Sequence, residues 1–277
     1  MNTAPKRIEL PAFPDGKRIA VTTSWDDGRV YDRWVVAALN ALGMQGTFNL
    51  NSGFLGRTGA PATTEDGYLD AAEVGALYVG HEVAVHSVTH PHLGMLDTGQ
   101  MVAEVQADRA ALEELVGYPV RGMAYPFGTY TSHVIHVLRT LGIVYSRTTE
   151  AGVTAFPPAE PLAWGTTQHI INAQPAPLPE QWAAFHGHPY SSGVFYVWGH
   201  SYEFAARRDD LTRLLAPLAG HDDVWYCTNI ALFDYEAARQ RLVIATNRRT
   251  AYNPSILPVT VNVDGTLVTA GPGVTAL

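Results

Sequence analysis

Short strand-like segments alternate with helix-like segments along most of this chain, and that alternation is the pattern of parallel βα units. Arg18–Ser24 (RIAVTTS) reads as a strand and Tyr31–Leu42 as a helix closed by Gly43. Gln45–Asn51 is strand-like, Asp70–Val79 helical, and Glu82–Ser87 (EVAVHS) a strand. A long helix is predicted from about Thr98 to Val116, with Asp97 or Thr98 able to cap it and Gly117 ending it. Strand Arg121–Tyr125, helix Ser132–Leu141 and strand Ile143–Arg147 follow, and then a Pro-rich loop around Val153–Pro161. The second half repeats the theme: helix Pro179–His186, strand Val194–Trp198, helix Asp209–Leu218, strand Val224–Thr228 and helix Leu232–Arg239. About seven such units argue for a barrel over an open sheet. The last stretch differs: Pro258–Val263 and Thr266–Ala270 flank Asp264-Gly265, a type I′ hairpin signal. Residues 1–240 are expected to form the barrel, and 241–277 a small β-hairpin appendage packed on it.

Composition narrows the function classes. With 277 residues, 47% apolar and 16% charged, the chain can bury a full core without staples. A formal net charge of −8 works against nucleic acid and anionic lipid as partners. The single cysteine, Cys227, sits in a strand-like VWYC run and reads as core, not as a nucleophile. No apolar run reaches the ~18 residues of a membrane helix, and MNTAPKRIELPAFPDGKR lacks a signal-peptide core. A cytoplasmic home with no membrane partner is the expectation.

Several chemically loaded clusters fall at predicted strand ends, where barrel enzymes build active sites. Asp26-Asp27 directly follows the first strand, and adjacent carboxylates at a buried strand end call for a cation nearby. Taken alone they also fit a helix-capping pair in a surface turn. His86 and His90 are spaced so that one strand end and its loop can share a divalent metal, although a structural histidine beside a surface one fits as well. Arg121 to Gly128 (RGMAYPFG) is unremarkable in isolation. Val194–Phe204 (VFYVWGHSYEF) delivers Trp198 and His200 at the end of an apolar strand, where His200 is a candidate acid or base or a core histidine. Coincidence decides: carboxylates, histidines and an Arg all fall at strand ends of one pattern.

On these residues the chain resembles the polysaccharide deacetylases, the NodB-homology proteins of carbohydrate esterase family 4. The family's T-F-D-D-G is matched by Ser24-Trp25-Asp26-Asp27-Gly28, and its H-[ST]-x-x-H by His86-Ser87-Val88-Thr89-His90, preceded by the lead-in Gly80-His81-Glu82-Val83. Arg121 to Gly128 resembles the third motif, with a departure: the family's Arg stands two residues before Pro, and Arg121 stands five before Pro126. Val197–His200 resembles the late L-x-x-H, while the fourth motif's Asp, which tunes that His, has no clear counterpart. The resemblance spans about residues 18–240.

It implies a distorted (β/α)7 barrel with, here, the short C-terminal β appendage. It implies a metal-dependent hydrolase that removes an N-acyl group, acetyl above all, from an amino sugar or oligosaccharide. Asp27, His86 and His90 would hold one divalent ion, zinc foremost, with cobalt, nickel and manganese as alternatives. Asp26 would be the general base, kept ionised by Arg121, and His200 the acid for the leaving amine. The Phe127 N–H would bind the oxyanion, and Trp25, Trp164 and Trp198 would offer flat faces to a sugar. Glu203 could partner His200 only if the chain turns back after it.

Three other readings stay open. A two-histidine, one-carboxylate set also resembles the facial triad of non-haem iron oxygenases, but Asp27 lies far ahead of the histidines in an α/β pattern. Allantoinase-like and cyclic-imidase relatives point to a small amide or imide substrate. A catalytically dead sugar-binding module is disfavoured by the intact Asp-Asp and His-x-x-x-His. A polymer substrate calls for a site open onto a long groove; for a small one, the favoured reading, the long connections 52–68 and 150–178 are expected to close a pocket over it, with completion by a second subunit, hence a homo-oligomer, as one way to do so.

Overall fold

The structure is a computed structural model, and it describes residues 6–57 and 67–277. After the short strand β1 (Ile8–Glu9), eight strands alternate with helices: β2 (Ile19–Asp26), α1 (Asp32–Ala41), β3 (Thr47–Leu50), α2 (Ala71–Leu77), β4 (Glu82–Val85), α3 (Thr98–Val116), β5 (Gly122–Ala124), α4 (Ser132–Thr140) and β6 (Tyr145–Arg147). Then come β7 (Gln168–His169), α5 (Leu178–Gly187), β8 (Gly193–His200), α6 (Arg208–Leu215), β9 (Val224–Tyr226) and α7 (Asn229–Arg241). All pair in parallel, in the order β6-β5-β4-β3-β2-β8-β7, with β9 beside the first half of β2. Trp164 exchanges backbone hydrogen bonds with Ser146 and Thr148 on one side of the seam, and Thr167 bonds to Tyr196 on the other. The sheet therefore curls into a barrel, as the alternation predicts, and the barrel is of the distorted (β/α)7 kind that the resemblance implies. The strand β7 is new to the sequence reading: at two residues, inside a Pro-rich connection, it shows no period.

Strand pleating divides the barrel into two kinds of surface. Trp25, Phe48, Val83, Val85, Phe195 and Val197 alternate onto the outer face and are buried beneath the helices. Their strand neighbours face inward and are polar: Thr22, Ser24 and Asp26 on β2, Thr47 and Asn49 on β3, Glu82 on β4, with Tyr145 and Arg147 on β6. Hydrogen bonds tie this interior together, from Thr22 to Asn229 (2.8 Å), from Asn49 to Ser24 (2.7 Å) and from Tyr145 to Glu82 (2.8 Å). Helix ends follow their caps. Asp97 accepts from the Gln100 N–H at the start of α3, and Gly117 closes it in the left-handed conformation.

Beyond α7 lie β10 (Val243–Ile244), β11 (Thr250–Asn253), β12 (Val259–Val263), β13 (Thr266–Ala270) and β14 (Gly273–Ala276). The β12–β13 turn has φ of 52° at Asp264 and 88° at Gly265, the two positive values a type I′ hairpin needs. These strands form two three-stranded sheets, β10-β11-β14 and β1-β12-β13, so Ile8–Glu9 joins the second of them. Val259, Val261 and Ala270 pack with Ala238 and Leu242 of the α7 region, which fixes the appendage to the barrel. Among the described residues no helix is long and apolar enough to cross a membrane.

Candidate functional site

Most of the side chains singled out in the sequence meet at the C-terminal edge of the sheet. Asp26 ends β2, fully inside, and accepts hydrogen bonds from Asn49 (2.8 Å) and from Arg147. Burial alone would raise its pKa, but the charge of Arg147, the imidazoles of His86 and His200 and the Asn49 hydrogen bond outweigh it and hold the carboxyl at about 2. Asp27 then leaves the sheet at φ 82°, followed by Gly28 at 68°. This left-handed pair swings the Asp27 carboxylate back over the barrel mouth.

There Asp27 Oδ1 lies 3.6 Å from His86 Nε2 and 3.6 Å from His90 Nε2. An ion bound at about 2.0–2.2 Å in tetrahedral geometry spaces its donors by about 3.4 Å, so the set fits a zinc-like ion. The surroundings orient the donors. His86 Nδ1 lies 2.8 Å from the Ala124 carbonyl and donates to it, which leaves the Nε2 lone pair aimed at Asp27. The His86 N–H donates to Asp108, whose other oxygen accepts from the Ser52 N–H. Burial and the neighbouring His86 hold His90 below the ordinary imidazole value, in its lone-pair form.

Backbone strain concentrates here. Asp27, Ser87, His90 and Phe127 all have positive φ, and together they surround the three donors. Such conformations cost on the order of 1–3 kcal/mol each and persist where the surrounding structure over-determines them. Phe127 is half exposed, stacks on His92 with ring centroids 4.0 Å apart, and packs edge-on against His90. Its N–H belongs to a turn at the rim of the site.

On the far side, β8 pairs with β2 so that His200 stands opposite Asp26. After His200 the chain does turn back, through the 3-10 turn Ser201–Phe204. That brings Glu203 Oε1 to 3.4 Å from His200 Nδ1 and Glu203 Oε2 to 3.0 Å from the His200 N–H. Burial opposes protonation of His200, but the Glu203 hydrogen bond and the charges of Asp26 and Asp27 prevail and raise its pKa. Ser201 donates to the buried Asp32, which pins the turn to α1.

Three expectations need correction. Arg121 does not reach this site. It precedes β5, at the other edge of the sheet, and makes a two-pronged pair with Asp234 at 2.8 and 2.6 Å. The guanidinium beside Asp26 comes from Arg147, at the end of β6. Trp25 faces outward into the core with no exposed surface, because strand parity sets it opposite to Asp26. Trp164 is buried against Tyr145, Tyr196 and Phe233. Only Trp198 of the three borders the site, with the Arg147 guanidinium 4.4 Å above its ring. Sequence reasoning also missed Asn49, Asp108 and His169; the last lies on β7 with Nε2 3.3 Å from Glu203. Of the two long connections, residues 58–66 lie outside the described residues, while 150–178 closes the seam and delivers His169.

Comparison with known proteins places the fold. A family model described as polysaccharide deacetylase matches residues 14–146, a span that contains Asp26, Asp27, His86 and His90. A protein from Mycobacterium smegmatis, assigned as a polysaccharide deacetylase, superposes with a TM-score of 0.58 at 19% identity, covering 84% of this chain and 96% of that one. The Xyl-CE4 domain of a multidomain xylanase from the hindgut metagenome of Trinervitermes trinervoides gives 0.52 at 15% identity, covering 80% and 92%. At these identities the two structures speak to the fold. No curated protein sequence matches the chain.

Proposed function

We propose that this chain is a polysaccharide deacetylase, the family whose model matches residues 14–146, and that it hydrolyses the N-acyl amide of an amino sugar or oligosaccharide, with acetate as the acid product. The observation that carries this reading is the convergence of Asp27, His86 and His90 on one point beside an Asp26 carboxylate kept ionised by Arg147. A single divalent ion at those three donors, with zinc the best match to one carboxylate and two imidazoles, would polarise the acyl carbonyl and acidify water.

The chain's own groups do the rest. Asp26 takes the proton of the attacking water. Held at about 2, it stays ionised over the whole working range and never blocks the site in its protonated form. Asn49 and Arg147 fix the carboxylate so that one face remains turned to the mouth. The Phe127 N–H stands at the rim as a donor to the developing oxyanion. His200 protonates the nitrogen as it leaves. An amine is a poor leaving group without that proton, and the Glu203 hydrogen bond with the charges of Asp26 and Asp27 raises the His200 pKa in favour of the proton-bearing form. Glu203 orients the imidazole, in the place of the Asp that the family's fourth motif supplies.

The test is acetate release by metal-reconstituted protein from a panel of N-acetyl and O-acetyl sugars, with cyclic imides and small amides alongside. Turnover of N-acetyl sugars that disappears on chelation supports the reading. Turnover of imides alone would assign the site to small ring-opening chemistry.

A further inference from the structure

The mouth of the barrel holds a second set of metal-competent donors, separate from Asp27, His86 and His90. His169 Nε2 and His200 Nδ1 converge on the same oxygen of Glu203, at 3.3 and 3.4 Å. All three donor atoms lie within 4.8 Å of one another. We propose that His169, His200 and Glu203 form a second, inhibitory site for a zinc-like divalent cation.

Several features support it. The spacing of each nitrogen from the shared oxygen is close to the ~3.4 Å separation of donors around a tetrahedral ion. Two imidazoles with one carboxylate are the donor set of a catalytic zinc site, selective for borderline ions over calcium or magnesium. The cluster is also reachable: its three side chains are each between 13% and 21% exposed, unlike the sealed carboxylates beneath it. The negative charge of Asp26 and Asp27 reaches His200 from the neighbouring strand and favours a cation there.

This inference rests on the acid role proposed for His200, because that role gives the second site its consequence. To act as an acid, the imidazole must carry protons on both nitrogens. A cation at Nδ1 occupies the lone pair that would take up the second proton. His200 then keeps only its Nε2 N–H and cannot protonate the departing amine. The first ion would switch the enzyme on, and the second would switch it off.

The experiment is calorimetric titration of the chelator-stripped full chain with zinc chloride, beside activity measured at each ratio. Wild type should take up two equivalents. Asp27→Ala should retain the second, and His169→Ala should retain only the first. In wild type, activity should rise to one equivalent and then fall at least tenfold as the second binds, and His169→Ala should lose that fall. If His169→Ala does not fold, as judged by circular dichroism, His169→Asn is read in its place. A wild-type stoichiometry of one, or two equivalents and undiminished inhibition in the His169 variant, overturns the proposal. Two equivalents without activity on any acylated substrate would instead sink the deacetylase reading while the second site stands.

Discussion

Glu82 and Asp26 are both carboxylates sealed inside one barrel, and the protein treats them in opposite ways. Glu82, at the start of β4, accepts hydrogen bonds from neutral groups: Tyr145 Oη at 2.8 Å, Thr47 Oγ1 at 2.9 Å and the Ile230 N–H at 2.8 Å. Burial wins there and pushes it up to about 7. Asp26, at the end of β2, has a guanidinium and two imidazoles around it and is held at about 2. The floor is a structural knot that joins β3, β4, β6 and α7. The mouth is a charged site maintained at a cost, with backbone strain at four non-glycine residues. A buried carboxylate is therefore no mark of function by itself. What separates the two is the cation beside it and the strain around it.

Removing the charge at the mouth should have the largest effect. Asp26→Asn keeps an oxygen for Arg147 but loses the proton acceptor, so turnover should fall by about 10²–10⁴-fold. Bound metal, measured by elemental analysis, should stay at the wild-type level. If metal is lost with the activity, Asp26 is a ligand, and the division of labour between Asp26 and Asp27 is wrong.

Removing the cation tests the same contrast from the other side. Arg147→Met leaves Asp26 buried without its main counter-charge, and breaking such a pair costs about 3–5 kcal/mol. Urea midpoints should drop accordingly at pH 7. The loss should shrink in acid, where Asp26 can now protonate. An equal loss at every pH would mean that the Arg147 side chain acts by packing on Trp198 and not by its charge.

How legible was this site? Asp26-Asp27 and His86/His90 were readable because each pair arises from one strand end, so short spacing reflects spatial nearness. Arg147 was not, because its contact with Asp26 bridges 121 positions and its strand (YSR) looks like any other. His169 hid in a two-residue strand too short to show periodicity. The misplacing of Trp25 was avoidable: if Asp26 faces in, strand parity sends Trp25 out. Arg121 also carried its own signal, since it begins a strand where the site lies at strand ends. The barrel itself was legible from alternation, while its closure at Trp164 was not, because isolated backbone bridges leave no pattern in side chains.

The floor should respond in stability, not in rate. A carboxyl whose folded pKa lies above its unfolded value binds its proton more tightly when folded. Its stabilising contribution is complete below about 4.5 and is lost as pH rises through about 7. For Glu82 that swing amounts to at most about 3 kcal/mol. Glu82→Gln should flatten the fall of stability between pH 4.5 and 7, with a residual slope from Asp32 and Asp108, which burial also raises to about 7. The value of kcat/KM should change by no more than a few-fold. A rate loss comparable to that of Asp26→Asn would erase the distinction between floor and mouth.

The smallest effect is expected outside the floor, at Arg121, and it bears on the one role that the family resemblance assigned to the wrong guanidinium. Arg121 and Asp234 are each about one-third exposed, at 37% and 33%. Their two-pronged geometry is good, but solvent screens the pair, and exposed pairs contribute about 0–1 kcal/mol. Arg121 is also the weakest of the influences on Glu82, where its charge lowers the carboxyl only slightly against the dominant effect of burial. Arg121→Ala should therefore lower stability by about 1 kcal/mol or less and leave kcat/KM and metal content as in wild type. Adding Asp234→Ala should bring little further loss, because the first substitution has already removed the interaction. A rate loss of tenfold or more in Arg121→Ala, with the fold intact, would mean that the charge reaches Asp26 through the barrel interior. Arg147 would then be only part of what keeps Asp26 ionised.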